Sequence, residues 1–284
     1  MLKSVFRLFT LALLAILAAC SAPEMPEAGL EVQITFGTPD AGEHPYVGTL
    51  LFVQEGVGYF SCTGTLLSST VMLTAGHCVE GGGQVNDVTY VRFTDDALAD
   101  RGDYPSTQAW LDAEWILAAE TVPHPQYDDY AEFPNIYDVG LVILSEPVEL
   151  DTYGALPEIG FLKDLLSDRN KKNDIFTAVG YGAQGDIPAF AQDDYVRYQA
   201  TTRLIELNST NTGVGQSAKF ANNPGKGNGT GGTCYGDSGG PIFWGDTNVV
   251  GAITSWGITP CIGVDYNFRI DTALAQDFID AYLD

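Results

Sequence analysis

The sequence predicts an all-β protein, on three observations. Short runs rich in β-branched and aromatic residues recur along the chain, separated by Gly, Asn, Asp and Pro. None of them carries a long apolar stripe at helical spacing. Glycine, at 32 of 284 residues, exceeds the usual roughly 7% without a three-residue period, so it marks turns and excludes collagen. A composition of 45% hydrophobic and 18% charged residues supplies a large core and excludes wholesale disorder.

In chain order the predicted strands are Tyr46 to Val53, Thr65 to Thr74, Val88 to Phe93, Val139 to Leu144, Ile175 to Val179, Val196 to Leu207, Ile242 to Trp244 and Val249 to Thr254. Their spacing suits an all-β sandwich or barrel. Two segments read as helices. Thr272 to Leu283 places Leu274, Phe278, Ile279 and Tyr282 on one face, and Pro157 to Ser167 is the second.

The termini and the charge set the context. Lys3 and Arg7 precede the uncharged run Leu8 to Ala19, too short to span a hydrocarbon core of roughly 30 Å but the size of a signal-peptide apolar region. The run ends in Leu17-Ala18-Ala19-Cys20. This resembles the bacterial lipobox, which implies a signal peptide over 1–19, acylation of Cys20 and anchorage to a bacterial membrane. The Ser21 that follows resembles lipoproteins bound for the outer membrane; an ordinary secretory peptide, leaving Cys20 as a spare thiol, is the competing reading. The Pro/Glu-rich stretch from Ser21 to about Leu30 lacks periodicity, so 20–33 reads as an extended tether or propeptide before a domain over 34–284. Thirteen Lys and Arg against 37 Asp and Glu leave a formal charge of −24, which speaks against nucleic acid as a partner. A monomer acting on protein or peptide is expected.

Setting Cys20 aside, Cys62, Cys78, Cys234 and Cys261 remain in a chain bound for an oxidising compartment, where thiols pair. Three pairings are open. Proximity favours Cys62 with Cys78 and Cys234 with Cys261, closing loops of about 16 and 28 residues, each contributing roughly 3 kcal/mol in the chain-entropy model. With no CxxC and three histidines, neither a metal nor another cofactor is expected.

Gly236-Asp237-Ser238-Gly239-Gly240-Pro241 surrounds a serine with glycines, so that a carbonyl can approach its hydroxyl and the neighbouring N–H groups. A serine nucleophile needs an adjacent base. His44, His77 and His124 all precede Ser238, which excludes the Ser, Asp, His order of α/β-hydrolases. No Ser-x-x-Lys occurs. His77, in Leu73-Thr74-Ala75-Gly76-His77-Cys78, follows an apolar strand; His44 and His124 each precede a proline in a loop and read as ordinary surface or core histidines. Asp138 opens Asp138-Val139-Gly140-Leu141-Val142-Ile143-Leu144, and a carboxylate at the mouth of a buried run needs a partner.

Together Cys62, Thr74 to Cys78, Asp138 to Leu141, Cys234 to Pro241 and Ser255-Trp256-Gly257 resemble the chymotrypsin or trypsin-like serine proteases, over about Ile34 to Leu283. The resemblance implies two six-stranded antiparallel barrels with a C-terminal helix and an active site between them. It implies the two disulfides favoured above. It also implies an endopeptidase in which Ser238 attacks, His77 shuttles the proton and Asp138 orients the imidazole, with the N–H groups of Gly236 and Ser238 as the oxyanion hole. Ser255 would support Asp138, and Ser255-Trp256-Gly257 would pair with the substrate backbone. A catalytically silent binding protein and an esterase on the same scaffold are the competing readings. The interval from His77 to Asp138 is longer than usual for the family, and residues 94–136 read as an insertion bordering the cleft.

The resemblance further puts Gly232, next to Thr233, at the floor of the specificity pocket, where trypsins carry an aspartate. Asp265 is the residue expected to reach the pocket from the opposite wall and attract a cation. Many relatives are zymogens, matured by a cut that frees an apolar N-terminus to pair with the aspartate before the serine, here Asp237. The corresponding start is Ile34-Thr35-Phe36-Gly37, after Gln33 rather than a basic residue.

Overall fold

The computed structural model describes residues 34–53, 59–81, 84–85, 87–171, 174–184, 194–207, 215–225, 227 and 229–283. The expected signal peptide, Cys20, the tether and the cut after Gln33 lie outside the described residues. No helix among the described residues is long and apolar enough to cross a membrane.

In chain order the strands are β1 (Thr38–Pro39), β2 (Val47–Val53), β3 (Tyr59–Leu66), β4 (Val71–Thr74), β5 (Glu80–Gly81), β6 (Gln84–Val85), β7 (Val88–Arg92), β8 (Ile116–Pro123), β9 (Gly140–Leu144), β10 (Ile175–Gly180), β11 (Tyr198–Glu206), β12 (Ser217–Asn222), β13 (Pro241–Trp244), β14 (Val250–Gly257) and β15 (Gly263–Arg269). The helices are α1 (Gly76–Val79), α2 (Thr107–Glu114), α3 (Phe161–Ser167) and α4 (Ala273–Asp280). Strands β2-β3-β4-β9-β8-β7 close into a first antiparallel barrel. Strands β11-β10-β13-β14-β15-β12 form a second six-stranded ring, closed by the β11–β12 pairing, and β1 adds to the start of β11 through Thr38↔Gln199. Closure removes the sheet edges that would otherwise template aggregation.

The run from Thr65 to Thr74 divides in the structure: β3 ends at Leu66 and β4 begins at Val71. Between them Ser68 Oγ accepts hydrogen bonds from the N–H groups of Thr70 and Val71, the local bonding by which serine favours a turn over a continued strand. The insertion is also narrower than 94–136, because Ile116–Pro123 is a barrel strand paired with β9. Its apolar signal is weak, with five of its eight residues only half-buried. Ahead of it, α2 is capped by Ser106 Oγ, which accepts from Ala109 N–H, and this segment is held by Arg92, which donates to the Ala97 carbonyl and to Asp100.

One apolar core runs from the first barrel into the second, including Leu50, Leu73, Leu141, Val179, Phe243, Ile253 and Phe268. A second, with Phe176, Phe220, Ile242 and Leu162, fills the second barrel. Helix α4 docks on the shared core by Ala275 and Ile279, both fully buried, with Leu274 and Phe278 at the margin. Tyr282, expected on that face, is exposed.

A buried polar clamp also joins the barrels. Arg197, just before β11, is 1% exposed and donates to Asp40 Oδ2, to the carbonyls of Val47 and Phe93, to Tyr181 and to Asp95. Asp40 also takes Nδ1 of His44 at 2.5 Å. Burial opposes ionisation of Asp40, but His44 and Arg197 outweigh it and hold the carboxyl below its usual range. His44 is thus a core histidine, stacked on Phe243.

Candidate active site

Two strand ends and one turn meet between the barrels. β4 and β9 pair antiparallel with Thr74 opposite Gly140, so the residues just past Thr74 and just before Gly140 emerge side by side. His77 lies three positions beyond the first and Asp138 two before the second. Asp138 is fully buried. Its Oδ1 accepts the His77 backbone N–H at 2.9 Å, and both its oxygens lie 3.0 Å from His77 Nδ1. Ser255 Oγ on β14 donates to Oδ2 at 2.5 Å.

The electrostatics follow from that packing. Burial disfavours the imidazolium, yet the charge and hydrogen bond of Asp138, with a contribution from Asp129, outweigh it and raise the His77 pKa above the ordinary histidine value. Burial likewise pushes Asp138 up, and its attraction and bonds to His77 and Ser255 bring it below the usual carboxylate range. His124, by contrast, is lowered by burial alone, and it packs between Tyr137 and Phe278.

Ser238 sits in the turn before β13 and is tied to both barrels. Its carbonyl accepts from Thr63 N–H on β3 at 2.8 Å, and Cys78 Sγ lies 3.5 Å from that same oxygen. The next N–H, of Gly239, donates to the Thr254 carbonyl on β14. Glycine is required at 239 twice over. Its φ is +78°, and a Cβ there would lie 2.0 Å from Thr74 Oγ1 and 2.6 Å from Ala75 N. This close approach sets the serine turn against the turn that bears His77. No hydrogen bond joins Ser238 Oγ to the His77 ring among the described residues.

Gly236, also left-handed at φ +95°, and Ser238 have backbone N–H groups with no hydrogen-bond partner among the described residues. Asp237 between them is fully buried and accepts from Gly182 N–H and Cys234 N–H. The disulfides Cys62–Cys78 and Cys234–Cys261 fix the flanks, the first tying β3 to α1. Among the described residues Cys62, Cys78 and His77 group like metal ligands, but the two sulfurs bond each other and offer no thiolate.

Beside Ser238 opens a cavity of about 250 Å³ lined by Thr233, Cys234, Tyr235, Thr254 to Thr259, Cys261 and Asp265. Trp256 stacks on Tyr266 with centroids 3.8 Å apart and meets the edge of exposed Phe133. Asp265 is 3% exposed. Its Oδ1 accepts from Asn222 Nδ2, and its Oδ2 from Thr233 N–H and Oγ1. Gly232 is not among the lining residues; a Cβ there would lie 2.4 Å from the Asn222 side chain, so this glycine makes room for Asn222 to hold Asp265. Ile34 is fully buried against Tyr198 and Ala200, and the Thr35 carbonyl accepts from Gly232 N–H.

Sequence reasoning missed Asn222, Tyr235 and Tyr130. Tyr130 donates to Asp138 Oδ2 at 2.8 Å. Asn222 closes a strand with no feature that marks it, and Tyr130 is one of several tyrosines in an acidic loop.

Comparison with known proteins agrees with this architecture. The chain matches the Trypsin family over residues 34–279. It is 24% identical over 232 residues to a chymotrypsin-like serine proteinase of Haliotis rufescens, covering 78% of this chain and 80% of that protein. It is 28% identical over 214 residues to a renal glandular kallikrein of Mastomys natalensis, covering 71% and 72% respectively. Among solved structures, HL collagenase superimposes with a TM-score of 0.63 at 18% identity, over 88% of this chain and 97% of that one, a likeness of fold. With two closed six-stranded barrels, a C-terminal helix and a family match that spans nearly all of the described chain, this protein belongs to the trypsin family of chymotrypsin-like serine peptidases.

Proposed function

We propose that the protein is a serine endopeptidase that works through Ser238, His77 and Asp138. The observation that carries this reading is the buried Asp138 carboxylate gripping both the backbone N–H and Nδ1 of His77, beside a serine turn packed on the histidine turn. Ser238 attacks the scissile carbonyl. His77 Nε2 takes its proton and returns it to the leaving amine, while Asp138 holds the tautomer with the hydrogen on Nδ1 and stabilises the imidazolium. The N–H groups of Gly236 and Ser238 receive the developing oxyanion. Ser255, Trp256 and Gly257 on β14 offer backbone to an extended substrate, and the cavity beside them takes the side chain that precedes the scissile bond.

Asp265 sets what that cavity accepts. Burial pushes its carboxyl up to about 6, against the opposing hydrogen bonds from Thr233 and Asn222. The native chain thus keeps this proton to a higher pH than the unfolded chain, so the group reduces stability as pH rises from about 4 to 6. A Lys or Arg side chain in the cavity would compensate the charge. Cleavage after Lys or Arg, relative to cleavage after Leu or Phe, is therefore expected to rise severalfold between pH 5 and pH 7.5. Profiling denatured protein at both values checks this; a profile without Lys or Arg enrichment at either pH would remove Asp265 as the pocket charge.

The disulfides fit an oxidising compartment outside the cytosol. Residues 1–19 act as the signal peptide, Cys20 carries the lipid, and 20–33 form the tether. Because neither disulfide reaches the tether, a cut after Gln33 would free the Ile34 ammonium for Asp237 and release the enzyme from its anchor together. Sequencing the N-terminus of active material is expected to give Ile34; full activity in material that starts at Cys20 would contradict it.

A further inference from the structure

We infer that Tyr130 is a positioning residue for the His77–Asp138 pair: its hydroxyl fills the last acceptor site of Asp138 and so weakens the hold of that carboxylate on the imidazolium. The inference rests on the triad reading above and deepens it.

A carboxylate offers about four lone-pair sites. Four donors converge on Asp138: the His77 backbone N–H, His77 Nδ1–H, Ser255 Oγ–H and Tyr130 O–H. The Tyr130 oxygen also lies 3.2 Å from His77 Nδ1 and 3.4 Å from Ser255 Oγ. With its own proton given to Oδ2, the Tyr130 oxygen can only accept from Nδ1–H, so it stands against the proton-bearing side of the ring and shares that hydrogen with Oδ2 as a neutral, weaker acceptor than the carboxylate. Each hydrogen bond to an ionised acceptor draws on the same negative charge. With all four sites filled, the share left to stabilise protonated His77 is smaller than it would be with three.

The placement is built into the backbone. Asp129 and Tyr130 both take left-handed conformations, φ +57° and +64°, which non-glycine residues adopt at a cost of about 1 kcal/mol or more each. The Tyr130 ring packs edge-on against Tyr127. Tyr127 is buried and lies 3.0 Å from where a Cβ on Gly76 would be. Burial, then the charge of Asp138, pushes the Tyr130 hydroxyl far above the ordinary tyrosine pKa, so it is a donor at every working pH. The other groups facing the pair are Asp129 and Tyr127 on the same segment and the Ser255 hydroxyl on β14, and Glu80 after α1 acts on Tyr127. Asp129 raises the His77 pKa, and Tyr130 opposes it through Asp138.

The test is Tyr130→Phe in the full chain, read in two ways. Removing the hydroxyl is expected to raise the His77 imidazole pKa, followed by NMR titration, by about half to one unit. The acidic limb of the kcat/KM profile is expected to move up by the same amount. If the His77 titration is unchanged or moves down, the inference is overturned, even if kcat or thermal stability falls as a merely structural role would allow. Should Tyr130→Phe not fold, 3-fluorotyrosine at 130, a stronger donor, is expected to move the pKa down, and no movement overturns the inference. The NMR reading needs no turnover. It therefore separates failure of this inference from failure of the triad, which would appear as wild-type protein that neither cleaves peptides nor takes up a fluorophosphonate.

Discussion

Ser238→Ala is expected to lower peptide turnover by several orders of magnitude while leaving substrate affinity and thermal stability close to wild type. The magnitude is the one that loss of the nucleophile has in serine proteases with this triad. The reason for so large and so selective an effect is local. The hydroxyl is the one atom lost. Thr63 still donates to the carbonyl of residue 238, and the N–H of Gly239 still reaches Thr254, so the turn keeps its anchors in both barrels. The cavity walls from Thr233 to Asp265 also stay in place. Steady-state kinetics on a denatured protein substrate, with a melting curve, check both halves. Turnover near the wild-type level would remove the mechanism.

Asp138→Asn is expected to cost about 10⁴ in kcat at neutral pH, again the family's figure. The amide keeps the shape of the carboxylate but brings an N–H toward His77 Nδ1. The imidazole then places its hydrogen on Nε2, where it can no longer accept the serine proton. Loss of the negative charge also removes the attraction that raises the His77 pKa, so the residual activity is expected to show an acidic limb displaced to lower pH. Stability should fall as well. An amide cannot accept all four of the bonds that converge on Asp138, and each buried donor left without a partner costs about 1–3 kcal/mol. The pH profile of the variant separates the chemical effect from the structural one.

Much of the second barrel and the whole of the proposed triad can be read from residue patterns, and the reason is burial. Tyr198–Glu206 alternates buried and half-buried positions along most of its length, so its apolar residues fall at every second place. His77 and Asp138 stand out because each borders a run that is wholly or mostly buried, Val71–Thr74 and Gly140–Leu144. Strands that fail this test are hidden. Ile116–Pro123 is largely half-exposed and is lost inside an acidic insertion, and Gly263–Arg269 pairs on both edges yet carries Asp265, Asn267 and Arg269, polar residues that disguise it. The cavity beside Ser238 shows the same limit. Gly232 is legible as a glycine, but only the packing reveals that it admits the Asn222 side chain to hold Asp265. Tyr130 depends on a left-handed backbone that its sequence does not signal.

The arrangement of His77, Asp138 and Ser238 as one reactive unit is tested most directly by covalent capture. Full-chain protein treated with diisopropyl fluorophosphate and digested for peptide mapping should carry one adduct, on Ser238, formed more slowly in Asp138→Asn and not at all in Ser238→Ala. An adduct on another residue, or peptide cleavage that persists in protein whose Ser238 is fully modified, would contradict the account.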